Sequence, residues 1–124
     1  MKENVIIIAE AGVNHNGSID LAKKLIDVAS SAGADAVKFQ TFKASNIATK
    51  KTQKAIYQKK TTDKNETHFD MLKKLELNIE AHKELISYCS KKKIIFLSSP
   101  FDLESIELLN NLGLKILKIP ILSF

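Results

Sequence analysis

The sequence has no arginine and no tryptophan. All 19 of its basic residues are lysine, against 14 acidic residues, and the formal net charge over 124 residues is +5. Base readout and two-pronged phosphate clamping lean on the guanidinium fork, so the missing arginine argues against nucleic-acid recognition despite the charge. Much of the lysine lies at 50–64 and 91–93, patterned as solvated surface. A lone cysteine, Cys89, allows no internal disulfide, which fits a reducing cytoplasm. No apolar run approaches the ~20 residues that span a bilayer, and no secretory pattern follows the opening MKEN. P-loop, GxGxxG and nucleophile-elbow signatures are all absent, and no two of the three histidines have the spacing of a metal pair.

What is present is an ordinary globular composition, 44% hydrophobic and 27% charged, enough for one small domain. Val5 to Ile8 is a continuous β-branched run, as expected of a parallel strand covered on both faces. Glu10 follows at its carboxyl end. Gly12 and Gly17 then bracket a polar loop holding Asn14, His15 and Asn16, and Ser18 is placed to cap a helix. Ile19 to Ala32 has helical periodicity, with Leu21, Leu25, Val28, Ala29 and Ala32 on the apolar side. A second strand runs through Ala36, Val37 and Phe39 to Lys38, Gln40 and Thr41. Residues 43–64 break the rhythm as a lysine- and threonine-rich insertion around Tyr57 and Gln58, of the kind that serves as a binding loop.

A short helical piece spans His68 to Leu77. Asn78 caps a helix from Ile79 to about Ser90, and Ile94 to Leu97 is a third strand ending in Ser98, Ser99 and Pro100. Asp102 caps a further helix, with Ile106, Leu109 and Leu112 inward and Gly113 at its end. Leu114 to Ile119 is a fourth strand carrying Lys118. Strands alternating with helices imply a parallel sheet. A (β/α)8 barrel needs about twice as many units and ~200 residues or more. Four units therefore read as an open half-barrel, a barrel closed by a dimer, or a fragment, with a flavodoxin-like sheet as the competing fold.

Ligands of α/β folds bind beyond the carboxyl ends of the strands. Collected there are Glu10, Lys38 with Gln40, Ser98 with Ser99, and Lys118. One carboxylate and two lysines on one rim suit an anionic substrate and an acid/base step, or a Schiff base on either lysine. Each residue alone reads as surface; their convergence favours function. His82 reads as structural and His68 as exposed, which leaves His15 in the rim loop as the histidine worth testing.

The segments AEAGVNHNGS at 9–18, KFQTF at 38–42, FLSSPFD at 96–102 and LKILKIP at 114–120 resemble the sialic acid synthase family. This family comprises N-acetylneuraminate, legionaminic acid and pseudaminic acid synthases. AxYQ at 55–58 with MLKKLEL at 71–77 is most similar to the legionaminic-type bacterial branch. The resemblance runs from Val5 to Pro120 and spans about the first third of a family member. It implies the N-terminal part, about four βα units, of a (β/α)8 (TIM) barrel that is followed by an antifreeze-like domain and works as a homodimer.

The implied reaction condenses phosphoenolpyruvate with an open-chain N-acetylated mannose-type amino sugar and releases phosphate. A divalent metal, manganese or magnesium, polarises the aldehyde. By resemblance Glu10 is the acid/base carboxylate, Lys38 and Lys118 hold phosphoenolpyruvate, and Gln40 lies beside the substrates. Asn14 and His15 fall in the first loop signature, and Tyr57 and Gln58 in the substrate-side loop. After KIP the family continues with a Ser-Gly-Glu turn, where this sequence reads Ile121-Leu122-Ser123-Phe124. The metal-binding histidines, the second half of the barrel and the antifreeze-like domain are not among these 124 residues. The alternatives are a non-catalytic remnant or half-barrel and a Schiff-base aldolase-like protein.

Overall fold

The computed structural model describes residues 5–48 and 66–121. Tyr57 and Gln58 lie outside the described residues. Three strands, β1 (Ile8–Gly12), β2 (Ala36–Thr41) and β3 (Ile95–Pro100), form a parallel sheet in the order β1-β2-β3. Helix α1 (Ile19–Ser31) joins the first two strands. Between β2 and β3 come α2 (Ala44–Ile47), α3 (His68–Leu75) and α4 (Ile79–Lys91), and α5 (Leu103–Asn111) follows β3.

Strands that advance in sequence order through right-handed crossovers keep their helices on one side of the sheet. The flavodoxin-like order, which reverses at a switch point, is thereby excluded. The arrangement is an arc of a (β/α)8 barrel. Its core lies between sheet and helices: Val37, Phe39 and Phe96 of the strands meet Ala22, Ile26 and Ala29 of α1 and Leu85 and Cys89 of α4. The Phe39 and Phe96 rings stack with centroids 5.5 Å apart. The other sheet face carries Ile8, Ala36 and Ile95 in one row, then Glu10, Lys38 and Leu97, then Gln40 and Ser99.

The caps fall where the sequence places them. Ser18 Oγ accepts from Leu21 N, Asn78 Oδ1 from Ala81 N and Asp102 Oδ1 from Ser105 N. Thr67 and Asp70 add a reciprocal capping box to α3. Asp102 also accepts from the Lys43 backbone N–H at 2.9 Å, tying the ends of β2 and β3 together.

Several expectations are corrected. The apolar run is not a doubly covered strand: Val5, Ile6 and Ile7 precede β1 and are 60–70% exposed, because among the described residues β1 is an edge strand with helices packed on one face of the sheet. Glu10 consequently lies within β1 rather than beyond it. Leu114–Ile119 forms no strand. A single backbone bond, Lys118 N–H to Ser98 O at 3.3 Å, ties it to β3. It has no strand on its other side, among the described residues, to complete a ladder.

The buried stripe of α1 is Ala22, Ile26 and Ala29, whereas Leu21 and Val28 are exposed. Helix α3 stops at Leu75, and Leu77 is buried beyond it. His68 opens that helix half-buried rather than exposed.

Candidate functional site

Glu10 of β1 and Lys38 of β2 are partners in the parallel register, and their side chains form an ion pair. Lys38 Nζ also reaches Ser99 Oγ on β3 at 3.3 Å. The carboxylate is half exposed while the Lys38 side chain is only 14% exposed, so the cation is held between two strands with Glu10 toward solvent. Gln40 pairs with Ser99 across the sheet.

The register slips between Glu10 and Gly12, a bulge that re-aims the strand end. Gly12 turns there with φ +56°, and Glu10 Oε1 and Gln40 Nε2 both lie within 4 Å of where its Cβ would stand. Glu10, Lys38, Gln40 and Ser99 thus converge on the sheet face opposite the helices, toward the carboxyl ends of the strands, with Ser99 buried and Glu10 half exposed. A carboxylate, an ammonium, an amide and a hydroxyl together can hold an anion and move a proton.

The other sequence candidates are placed differently. Lys118 is exposed, and its backbone N–H on Ser98 sets it beside the end of β3. Asn14 is exposed in the loop, its N–H bonded to Ala11 O at 3.1 Å. His15, which the sequence leaves open between a ligand contact and loop structure, lies in the same loop. It is fully buried, 6.0 Å from the Phe39 ring, with Nδ1 accepting the Gly17 N–H at 2.9 Å. That bond puts the proton on Nε2, which finds no hydrogen-bond partner. Burial first, and then His82, lower the His15 pKa, so the ring is held neutral.

The loop packs tightly. A Cβ on Gly17 (φ +81°) would stand 2.1 Å from the Lys74 carbonyl oxygen. Cys89 is buried, its thiol pushed up to about 12 by desolvation, which makes it a core residue rather than a nucleophile.

Sequence reasoning noted Ser99 at a strand end without giving it a role; its pairing with Lys38 needed the register. Among the described residues no three His, Cys, Asp or Glu side chains come together to hold a metal ion, and no helix is long and apolar enough to cross a membrane.

The profile of the NeuB family matches residues 25–124. The chain is 60% identical over 118 residues to the N,N'-diacetyllegionaminic acid synthase of Campylobacter jejuni, covering 95% of this chain and 35% of that enzyme. It is 52% identical over 114 residues to the enzyme of the same name from Legionella pneumophila, covering 92% and 32%. The crystal structure of the N-acetylneuraminic acid synthetase of Leptospira borgpetersenii superposes with a TM-score of 0.71 at 29% identity, covering 96% of this chain and 40% of that one. The chain therefore spans about a third of the length of these curated relatives. With four-fifths of its residues inside the family profile and its strand-end cluster on the matching fold, the chain belongs to the NeuB family.

Proposed function

We propose that the chain carries the first-strand half of a nonulosonic acid synthase site. Such a site condenses phosphoenolpyruvate with an open-chain N-acetylated mannose-type sugar and releases inorganic phosphate. The observation that carries this reading is the Glu10–Lys38–Ser99 cluster beside Gln40 on the sheet face opposite the helices.

In the reaction, C3 of phosphoenolpyruvate bonds to the aldehyde carbon. Water then adds at C2, and the C2–oxygen bond to phosphate breaks to leave a keto acid. Glu10 gives a proton to the aldehyde oxygen and takes one from the attacking water. Lys38, with Ser99, holds the anionic end of phosphoenolpyruvate as a point charge. Lys118 stands beside the end of β3 to add a second positive charge, and Gln40 orients the substrates. Asn14 is exposed in the first loop, where a substrate contact would be open to it. The relatives named for N,N'-diacetyllegionaminic acid favour a legionaminic-type product. In the family a divalent metal polarises the aldehyde. The described residues offer no ligand set for it.

Phosphate release from phosphoenolpyruvate, measured with an N-acetylmannosamine-type sugar and manganese, tests the proposal. Release should fall about 10²–10⁴-fold in Glu10→Gln, the usual loss when an acid/base group is removed. No release by the unmodified chain would refute activity in this chain.

A second reading, a non-catalytic half-barrel, is favoured by the exposed apolar residues ahead of β1. A third, Schiff-base chemistry, predicts a borohydride-trapped pyruvate adduct on Lys38 or Lys118, and an unchanged intact mass eliminates it.

A further inference from the structure

Behind the rim, on the helix side of the sheet, polar groups are buried in a line. The hydroxyl oxygens of Ser98 on β3 and Thr41 on β2 are 2.6 Å apart. Thr41 Oγ1 is 2.8 Å from His82 Nε2, and His82 Nδ1 is 2.8 Å from the backbone oxygen of Asn78. None of the three side chains is more than 2% exposed.

Their chemistry fixes the order of the protons. A carbonyl only accepts, so Nδ1 of the neutral ring carries the hydrogen and Nε2 is an acceptor. Thr41 must then donate to Nε2, and its oxygen accepts from Ser98. One arrangement satisfies every bond in the line. It starts at the N-terminus of α4, where the Asn78 side chain caps Ala81 N–H, and ends between the carboxyl ends of β2 and β3.

The line backs directly onto the site. Gln40 precedes Thr41, Ser99 follows Ser98, and Gln40 pairs with Ser99. Lys38 reaches Ser99 Oγ on the opposite face. The backbone ladder reaches the same place: the Phe101 N–H, next to Pro100, donates to Thr41 O at 3.0 Å. The side-chain line therefore adds a buried link between β2 and β3 at the end of the backbone ladder.

We infer that Thr41, His82 and Ser98 are positioning residues. Their ordered hydrogen bonds fix the ends of β2 and β3 so that Lys38, Gln40 and Ser99 present one geometry to a phosphate-bearing anion. None of the three touches the ligand. The identity of the ligand rests on the function proposed above; the ordering of the strand ends does not.

The tests use the 124-residue chain. Long-range proton–nitrogen NMR of its imidazoles should show His82 as the Nδ1–H tautomer; the Nε2–H form, or an even mixture, overturns the inference. Thr41→Val keeps the shape and removes the hydroxyl, whereas Thr41→Ser keeps the hydroxyl. Inorganic phosphate is titrated against both variants and the unmodified chain, with Lys38→Met as the ligand-side control.

Thr41→Val should weaken phosphate binding about tenfold, the measure of one buried hydrogen bond, and speed amide exchange from Phe39 to Thr41 by a similar factor. Thr41→Ser should restore both. If Thr41→Val behaves as the unmodified chain, or if both variants lose equally, the inference is overturned. If the unmodified chain binds no phosphate, the functional proposal fails. The exchange rates then decide the positioning role: acceleration in valine alone upholds it, and none overturns it. If Thr41→Val does not fold, the tautomer and the serine variant decide.

Discussion

His15 and His82 are buried within the same core, each held neutral. For both, loss of solvation lowers the pKa from an ordinary value of 6.5; at His15 repulsion from a protonated His82 adds to this, and at His82 burial outweighs the favourable Asn78 carbonyl. A proton taken up near pH 6.5 therefore goes to the unfolded chain first. Stability is full above that pH and falls as pH drops below it, until the folded histidines also protonate. Urea unfolding at pH 7.5 and 5.5 should show a lower midpoint at the acidic value; equal midpoints would contradict the burial of both rings as neutral groups. His82 was legible as structural because it lies on a helix. The burial of His15 was not, because a loop residue has no periodicity from which to read a facing side.

At the scale of elements, the cap residues were legible one by one: Ser18, Asn78 and Asp102 each accept the backbone bond that the sequence suggests. The fit of one element against another was not. Gly17 reads as a loop glycine, yet it is also where the β1–α1 loop meets the carbonyl of Lys74 in α3. Gly17→Ala combines a left-handed backbone with a backbone collision, and should cost about 2 kcal/mol or more. Chemical denaturation measures it, and a cost below about 0.5 kcal/mol, the scale of an ordinary surface substitution, would refute the contact.

The facing of α1 shows the same limit. Its bonds to α4, Asp27 to Tyr88 at 2.6 Å and Lys23 to Glu84 at 3.4 Å, lie on one flank. Leu21 and Val28 lie on the opposite flank by helical spacing, exposed at 39% and 67%. A helix in a barrel wall needs apolar residues toward the sheet and toward both neighbours. Its sequence therefore shows a broad stripe in which the sheet-facing line cannot be singled out.

For the whole molecule, the apolar exposure gathers at the ends of the arc. Val5, Ile6 and Ile7 flank β1, and Ile116 and Ile119 lie in the segment after α5, all 60–70% exposed. Unpaired parallel edges with apolar flanks favour association with other chains. Static light scattering should show an average mass that rises with concentration. The double variant Val5→Lys/Ile119→Lys should reduce that rise, since charge on an edge opposes pairing. A constant monomer mass in the unmodified chain would show that these edges are covered in solution.

The sequence by itself determined most of the element types, the caps, the parallel alternation and the residues crowded at strand ends. Each of these is set by local periodicity and by side-chain chemistry within a few residues. Only the tertiary structure decided that the strands run β1-β2-β3 in one arc and that β1 starts at Ile8. It also decided that Leu114–Ile119 forms no strand, that Ser99 joins Lys38 and Glu10, and that His15 faces the core. These depend on register and on which face a neighbour covers, and both are fixed by contacts between residues far apart in the chain.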